Sequence, residues 1–116
     1  MVRLTNDKGL ERALDESAFK YVIVCFYQVD STPCTHFKKE FETLSEKPSL
    51  TRKAEFFEID ALENPGISKM LDVKAVPTTL IMKEGSQIGC FEGPYSHEAL
   101  ENRILDLIGV KKKRDA

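Results

Sequence analysis

The sequence predicts an α/β domain whose central, mixed, five-stranded sheet has helices on both faces. Two observations carry this prediction. Early in the chain, apolar runs of strand length alternate with segments of helical periodicity, which is typical of parallel strands joined by helices. Later, the Lys83–Ser86 turn separates two strand-like runs, which indicates an antiparallel hairpin. The order is therefore βαβαβαββα, in a single domain over residues 1–110 that is followed by a basic tail over residues 111–116.

The first half of the chain has the pattern of two strands, each followed by a helix. Residues 2–5 alternate as in a short strand, and residues 7–18 repeat apolar side chains at helical spacing. Residues 21–27 are continuously apolar, which predicts a central strand covered on both faces. Pro33 suits the start of the next helix, which should end before Pro48. The apolar positions of the two helices are Leu10, Ala13, Leu14 and Ala18, and then Cys34, Phe37, Phe41 and Leu44.

The second half adds a strand, a short helix, the hairpin and a last helix. Residues 54–60 have strand composition, and a helix begins at Asn64-Pro65. Residues 78–82 and 87–92 are the strands of the hairpin, and Ser96 caps the last helix. The residues predicted to face inward are Ile67, Met70 and Leu71 in the short helix, and Leu100, Ile104, Leu107 and Ile108 in the last one.

Size and charge limit the classes of protein to which the chain can belong. Its 116 residues, of which 41% are hydrophobic, suffice for one core. The net charge is −2, whereas general nucleic-acid binders are usually basic. The longest apolar run is too short to span a bilayer, and no apolar signal segment follows Met1. We therefore expect a monomer without membrane or nucleic-acid partners.

The three cysteines indicate a reducing compartment. Cys25, Cys34 and Cys90 are widely spaced and odd in number, whereas disulfide-stapled secreted domains usually have an even and denser set. Their spacing also lacks the paired ligands of a zinc site, so we expect no metal and no cofactor. These observations favour the cytoplasm. The basic run from Lys111 to Arg114 could in addition direct the protein to the nucleus.

Several short motifs follow one another in an informative order. They are Phe26-Tyr27, Pro33-Cys34, Ile59-Asp60, Asn64-Pro65-Gly66, Val76-Pro77-Thr78 and Gly93. Together with the order of strands, they resemble the thioredoxin family along nearly the whole chain. The resemblance implies a thioredoxin fold with a cis peptide bond before Pro77. It also implies that an extended substrate segment pairs with the backbone of Val76, by strand addition. Thr32, Pro33, Pro77 and Gly93 are the other substrate-binding residues that it implies.

The active-site loop departs from the family pattern. Thioredoxins carry Trp-Cys-Gly-Pro-Cys where this chain has Asp30-Ser31-Thr32-Pro33-Cys34. Ser31 thus replaces the attacking cysteine, and its hydroxyl stays protonated near neutral pH. Thiol–disulfide exchange needs a thiolate to attack and a second thiol to release the mixed disulfide. The ordinary two-cysteine cycle is therefore not expected.

Cys34 can be interpreted in two ways. A helix N-terminus stabilises an anion and lowers the pKa of a thiol, which favours a reactive cysteine. Burial in apolar surroundings raises a thiol pKa, which favours a structural cysteine packed against the strand. His36 follows two residues later, so on a helix it faces another side and does not pair with this thiol.

The other two cysteines have structural explanations. Cys25 lies in a strand that should be buried, so a core cysteine is the default interpretation. The resemblance places it where thioredoxins have a buried acid, beneath Cys34, which makes Cys25 a candidate resolving thiol. Cys90 lies in the hairpin and is expected to be structural or incidental, with an intermolecular role as the alternative.

The predicted function is that of an atypical monothiol thioredoxin-like protein in redox homeostasis. Cys34 would form mixed disulfides with glutathione or a protein partner, beside the groove at Val76 and Pro77. The protein would be at most a weak thiol–disulfide oxidoreductase. The alternative is a non-catalytic binding module that uses the same groove, with all three thiols structural.

Overall fold

A computed structural model describes residues 1–17 and 19–109 of the chain. It contains the predicted elements in the predicted order, with one short helix added before the third strand. The strands are β1 (Val2–Thr5), β2 (Tyr21–Tyr27), β3 (Ala54–Asp60), β4 (Thr78–Lys83) and β5 (Ser86–Glu92). The helices are α1 (Asp7–Asp15), α2 (Thr32–Ser45), α3 (Pro48–Thr51), α4 (Pro65–Met70) and α5 (His97–Leu107).

The sheet has the order β1-β3-β2-β4-β5, which places β2 in the middle. Strand β2 pairs in parallel with β3, and β3 in parallel with β1. Strand β4 runs antiparallel to both β2 and β5. In this register Cys25 lies beside Glu58 on one neighbouring strand and beside Thr79 on the other.

Apolar clusters cover both faces of the sheet, as the continuous apolar run of β2 predicted. On one face, Ile23 and Cys25 pack with residues of α2 and α5 such as Phe37 and Leu100. On the other face, Val22, Val24 and Phe26 pack with Leu10 of α1 and Ile67 of α4. Because side chains alternate along a strand, every residue of the middle of β2 is buried by one layer or the other.

Helix α1 is shorter than the predicted segment of residues 7–18. It ends at Asp15, and Ala18 lies outside the described residues. The Ser17 hydroxyl donates to the carbonyl of Leu14 at 2.6 Å and accepts from the N–H of Gly85 at 2.7 Å. Ser17 thus turns the chain out of the helix and ties it to the β4–β5 turn. The basic run from Lys111 to Arg114 also lies outside the described residues.

Two residues predicted to face inward are exposed. Met70 is 63% exposed, because a helix of six residues presents only a narrow stripe to the sheet and Ile67 and Ser68 fill it. Leu107 is 41% exposed. It nevertheless lies over Gly89, where an added Cβ would come within 2.5 Å of a Leu107 methyl carbon. The glycine lets the side of Leu107 approach the edge strand while its remaining surface faces solvent.

Candidate functional site

The loop between β2 and α2 holds Ser31 as the cap of the helix. The Ser31 side-chain oxygen accepts a hydrogen bond from the N–H of Cys34 at 3.3 Å. The Ser31 carbonyl accepts from both the N–H and the hydroxyl of Thr35, at 3.0 and 3.1 Å. Pro33, which has no N–H to satisfy, occupies the first turn. Ser31 therefore stabilises the first turn of α2, in which Cys34 lies.

Cys34 is a free cysteine that is only 6% exposed. Its side chain lines a pocket of about 290 Å³ between β2, β3 and α2, here called the thiol pocket. The residues of this pocket that bear on its chemistry are Cys25, Val29, Cys34, Lys38, Phe41 and Glu58. The structure thus brings two of the three cysteines to one small cavity.

Cys25 is a free cysteine in the thiol pocket with a protonated thiol at neutral pH. It is 5% exposed, and burial raises its pKa well above the ordinary range. The neighbouring Cys34 and Glu58 raise the pKa further, and the otherwise unpartnered hydroxyl of Thr79 offsets part of this rise. The thiol also donates weakly to the carbonyl of Phe26 at 3.9 Å. Burial therefore disfavours the Cys25 thiolate.

Cys90 is exposed on β5, away from the thiol pocket. It lies opposite Leu80 of β4, and Leu80 packs in the cluster on the face of the sheet opposite to Cys25. Partial burial raises the Cys90 pKa, and the carboxylates of Glu92 and Asp72 raise it further. The structure does not bring this thiol to Cys34.

A second depression lies beside Val76 and is here called the Val76 groove. It has a volume of about 430 Å³, and its lining includes Gln28, Leu62, Lys69, Ala75 and Val76. The Val76–Pro77 peptide bond is cis. Neither the N–H nor the carbonyl of Val76 has a hydrogen-bond partner among the described residues. The backbone of Val76 is therefore available to a partner chain.

The other four predicted substrate-binding residues, Thr32, Pro33, Pro77 and Gly93, are not part of the lining of the Val76 groove. The N–H of Gly93 donates to the carbonyl of Pro77 at 2.8 Å, and Gly93 has a φ of +100° that favours glycine. Pro77 is buried. Thr32 and Pro33 are exposed at the start of α2 and line neither the Val76 groove nor the thiol pocket.

Two charged residues of the site were missed from the sequence. Glu58 reaches the thiol pocket from β3, and Lys38 reaches it from α2. Lys38 follows Cys34 by four residues, a spacing that places both on one helix face, and this signal could have found it. Glu58 depends on the parallel register of β2 and β3, which the sequence does not reveal.

Neither histidine lines the thiol pocket with Cys34. His36 is exposed, as its helical position predicted. The His97 Nδ1 lies 3.0 Å from a Glu40 carboxylate oxygen, which also accepts the His97 N–H at 2.7 Å. This contact ties the start of α5 to α2.

Within residues 1–17 and 19–109, His, Cys, Asp and Glu side chains form no cluster that could hold a metal ion, and no helix is long and apolar enough to cross a membrane.

Known proteins are similar to this chain in sequence and in fold. The family model described as Thioredoxin matches residues 1–106. A thioredoxin from Ictalurus punctatus is 28% identical over 106 residues, covering 91% of this chain and 97% of that protein. Thioredoxin Y1, chloroplastic, from Arabidopsis thaliana is 30% identical over 92 residues, covering 79% of this chain but only 52% of the relative, about half its length. The crystal structure of a Malassezia sympodialis thioredoxin superposes with a TM-score of 0.80 at 23% identity, covering 91% of this chain and 90% of that one.

The structural match and the family match support different conclusions about the chain. The structural match shows the thioredoxin fold, with its five-stranded mixed sheet and flanking helices. The family model spans nearly all of the described residues. The chain therefore belongs to the thioredoxin family.

Proposed function

We propose that this protein is an atypical monothiol member of its family, in which Cys34 forms mixed disulfides with glutathione or a protein partner. The observation that carries the proposal is Ser31, which caps α2 and bonds the N–H of Cys34 where the family has its attacking cysteine. A serine hydroxyl cannot form a disulfide, so turnover of protein disulfides should be weak or absent.

The positions of the other thiols support a single nucleophile. Cys25 is protonated at neutral pH because burial raises its pKa, and Cys90 lies on the other side of the sheet. Cys34 remains, in the first turn of a helix, where backbone N–H groups stabilise an anion. Cys25 shares the thiol pocket with Cys34 and is the candidate resolving thiol.

Reduction of insulin disulfides with dithiothreitol as the electron donor tests this proposal. We expect the wild-type protein to accelerate insulin precipitation little above dithiothreitol alone. The Ictalurus punctatus thioredoxin serves as the positive control. Turnover by the wild-type protein comparable to that control would contradict the monothiol assignment.

A second candidate function is a non-catalytic binding module. It is favoured by the Val76 groove, where the backbone groups of Val76 are unpartnered among the described residues and Leu62 is exposed. An extended peptide could add to Val76 by backbone hydrogen bonds without any thiol. The module predicts that Cys34→Ala leaves the affinity for a captured partner unchanged, whereas the monothiol protein loses the covalent adduct.

The cellular setting is part of the same proposal. The three cysteines are free, which supports a reducing compartment such as the cytoplasm. Fractionation of cells that express the tagged protein would test this placement.

A further inference from the structure

The thiol pocket gives Cys34 an approach that is separate from the Val76 groove. Cys34 is almost buried, and it lines the thiol pocket but not the groove. Val76 lines the groove but not the thiol pocket, and Gln28 stands between them because it lines both. A reagent that enters the thiol pocket therefore reaches the Cys34 sulfur from the side of α2 and β3.

Two residues of opposite charge, Lys38 and Glu58, line this pocket together with Cys34. Lys38 lies one helical turn after Cys34, and residues at this spacing have Cβ atoms about 5–6 Å apart. Glu58 reaches the pocket from β3, where it lies beside Cys25. Among the described residues, no ion pair joins Lys38 to Glu58, so each charge is available to a ligand.

The other lining residues of the thiol pocket and its volume limit the kind of ligand that it can hold. Val29, Phe41 and the two thiols add weakly polar or apolar groups to the lining of the pocket. Its volume of about 290 Å³ lies at the lower end of the range for small-molecule sites, roughly 300–1,000 Å³. This space suits one half of a small disulfide.

We propose that the thiol pocket binds small disulfides of amino-acid-like thiols, which carry both an ammonium and a carboxylate, and that Cys34 reacts with them there. The ligand carboxylate would face Lys38 and its ammonium would face Glu58. The inference rests on the proposed function of Cys34 and adds the class of substrate and the route by which it enters.

The reaction is a disulfide exchange in which the small disulfide is the oxidant. The Cys34 thiolate attacks one sulfur of the ligand, a new S–S bond forms to Cys34, and the ligand's own S–S bond breaks. The departing thiolate takes up the proton that Cys34 released. One disulfide and one thiol thus give one mixed disulfide and one thiol, so atoms and electrons balance.

The test uses four small disulfides of different charge. They are the neutral 2-hydroxyethyl disulfide, the dianion dithiodiglycolate, the dication cystamine and the zwitterion cystine. The rate of adduct formation at Cys34 is measured by peptide mass for the wild-type protein and for Lys38→Glu, Glu58→Gln and Lys39→Glu. Lys39→Glu is the matched control, because Lys39 is the exposed neighbour of Lys38 and does not line the pocket. Each reagent is compared with itself in the four proteins, so differences in intrinsic reactivity between the reagents do not affect the result.

We expect Lys38→Glu to slow dithiodiglycolate and cystine and to speed cystamine, each by roughly three- to tenfold at low salt, as Coulomb's law gives for charge reversal about 6 Å away. Glu58→Gln should slow cystamine and cystine severalfold. Reversing the charge of Lys38 also acts on the Cys34 thiolate itself, and the neutral reagent measures that effect. The rate of each charged reagent is therefore divided by the rate of the neutral reagent with the same protein. Lys39→Glu should change every rate by much less than Lys38→Glu.

Two other outcomes would overturn the inference and are distinguishable from each other. If the neutral disulfide modifies Cys34 but Lys38→Glu and Lys39→Glu behave alike, the pocket is not the entrance, although the monothiol function stands. If Cys34 forms no adduct with any of the four reagents, the proposed function fails together with the inference. A further variant, Val76→Glu, tests whether the reagents enter through the Val76 groove instead. If it changes the relative rates of the charged reagents more than Lys38→Glu does, the reaction takes place in the groove.

Discussion

Cys25 and Cys34 line the same pocket, although one lies in the central strand β2 and the other in the first turn of α2. Their environments differ in one important respect. Cys25 is enclosed by the sheet, and burial raises its pKa well above the ordinary range. Cys34 sits where a helix begins, capped by Ser31. The proposed roles follow this difference, with Cys34 as the attacking thiol and Cys25 as a thiol that burial keeps protonated.

Replacing Ser31 by cysteine should restore a disulfide-forming pair. Ser31 lies within hydrogen-bond distance of the Cys34 backbone, so a thiol introduced by Ser31→Cys is close to the Cys34 sulfur. We expect mild oxidation to protect both thiols from alkylation and insulin reduction to rise. Ser96→Cys is the control, because Ser96 also caps a helix but has no cysteine in the following turn. If oxidation leaves the thiol introduced by Ser31→Cys and Cys34 both free, this interpretation of the loop is wrong.

The protonated state of Cys25 should make a mixed disulfide at Cys34 long-lived at neutral pH. Resolution needs the Cys25 thiolate, which becomes available only as the pH rises toward its elevated pKa. We expect Cys25→Ala to leave the lifetime of a glutathione adduct on Cys34 unchanged at neutral pH and to lengthen it in alkaline buffer. The lifetime is followed by intact mass in the absence of added thiols. A wild-type adduct that decays much faster than the variant adduct at neutral pH would contradict this expectation.

Removing the cap of α2 should destabilise the protein without unfolding it. Ser31→Ala deletes the oxygen that accepts the N–H of Cys34, and losing such a cap costs about 1 kcal/mol. Thr43→Ala, at an exposed position within the same helix, should change the free energy of unfolding by less than about 0.5 kcal/mol. Urea denaturation followed by circular dichroism measures both. Equal losses for the two variants would mean that the Ser31 hydrogen bond does not stabilise the helix.

The contact between Glu40 and His97 should make part of the stability depend on pH. The His97 N–H holds the pKa of the Glu40 carboxyl below its ordinary value of 4.5. A depressed carboxyl pKa contributes stability that is present above the unfolded-state pKa and is lost as the pH falls through the folded-state value. Glu40→Gln should therefore be less stable than the wild-type protein near neutral pH, and this difference should shrink below pH 4.5.

The matched control for this contact is Glu42→Gln, at an exposed position on the same helix. Its unfolding free energy should follow that of the wild-type protein at every pH. If the difference in unfolding free energy between Glu40→Gln and the wild-type protein grew on acidification, the sign of the effect would be opposite to the one predicted.

The sequence predicts those features that depend on local pattern. The continuous apolar run of β2 and the start of α2 around Pro33 follow from residues near in the chain, and the structure has both. Glu58 could not be assigned to the thiol pocket, because its place depends on the register of two strands far apart in sequence. The contact of His97 with Glu40 likewise depends on how α5 packs on α2. Met70 was misplaced because periodicity alone does not say how much of a short helix the sheet can cover.

The most direct test of the central claim is to map the adducts that glutathione disulfide forms on the folded protein. The Cys90→Ser variant is used because Cys90 is exposed, and a glutathione on Cys90 would add to the number counted per chain. We predict one glutathione per chain, located on Cys34 by peptide mass, with Cys25 unmodified. A protein in which Cys34 stays free, while the unfolded chain is modified under the same conditions, would contradict the assignment of Cys34 as the reactive thiol.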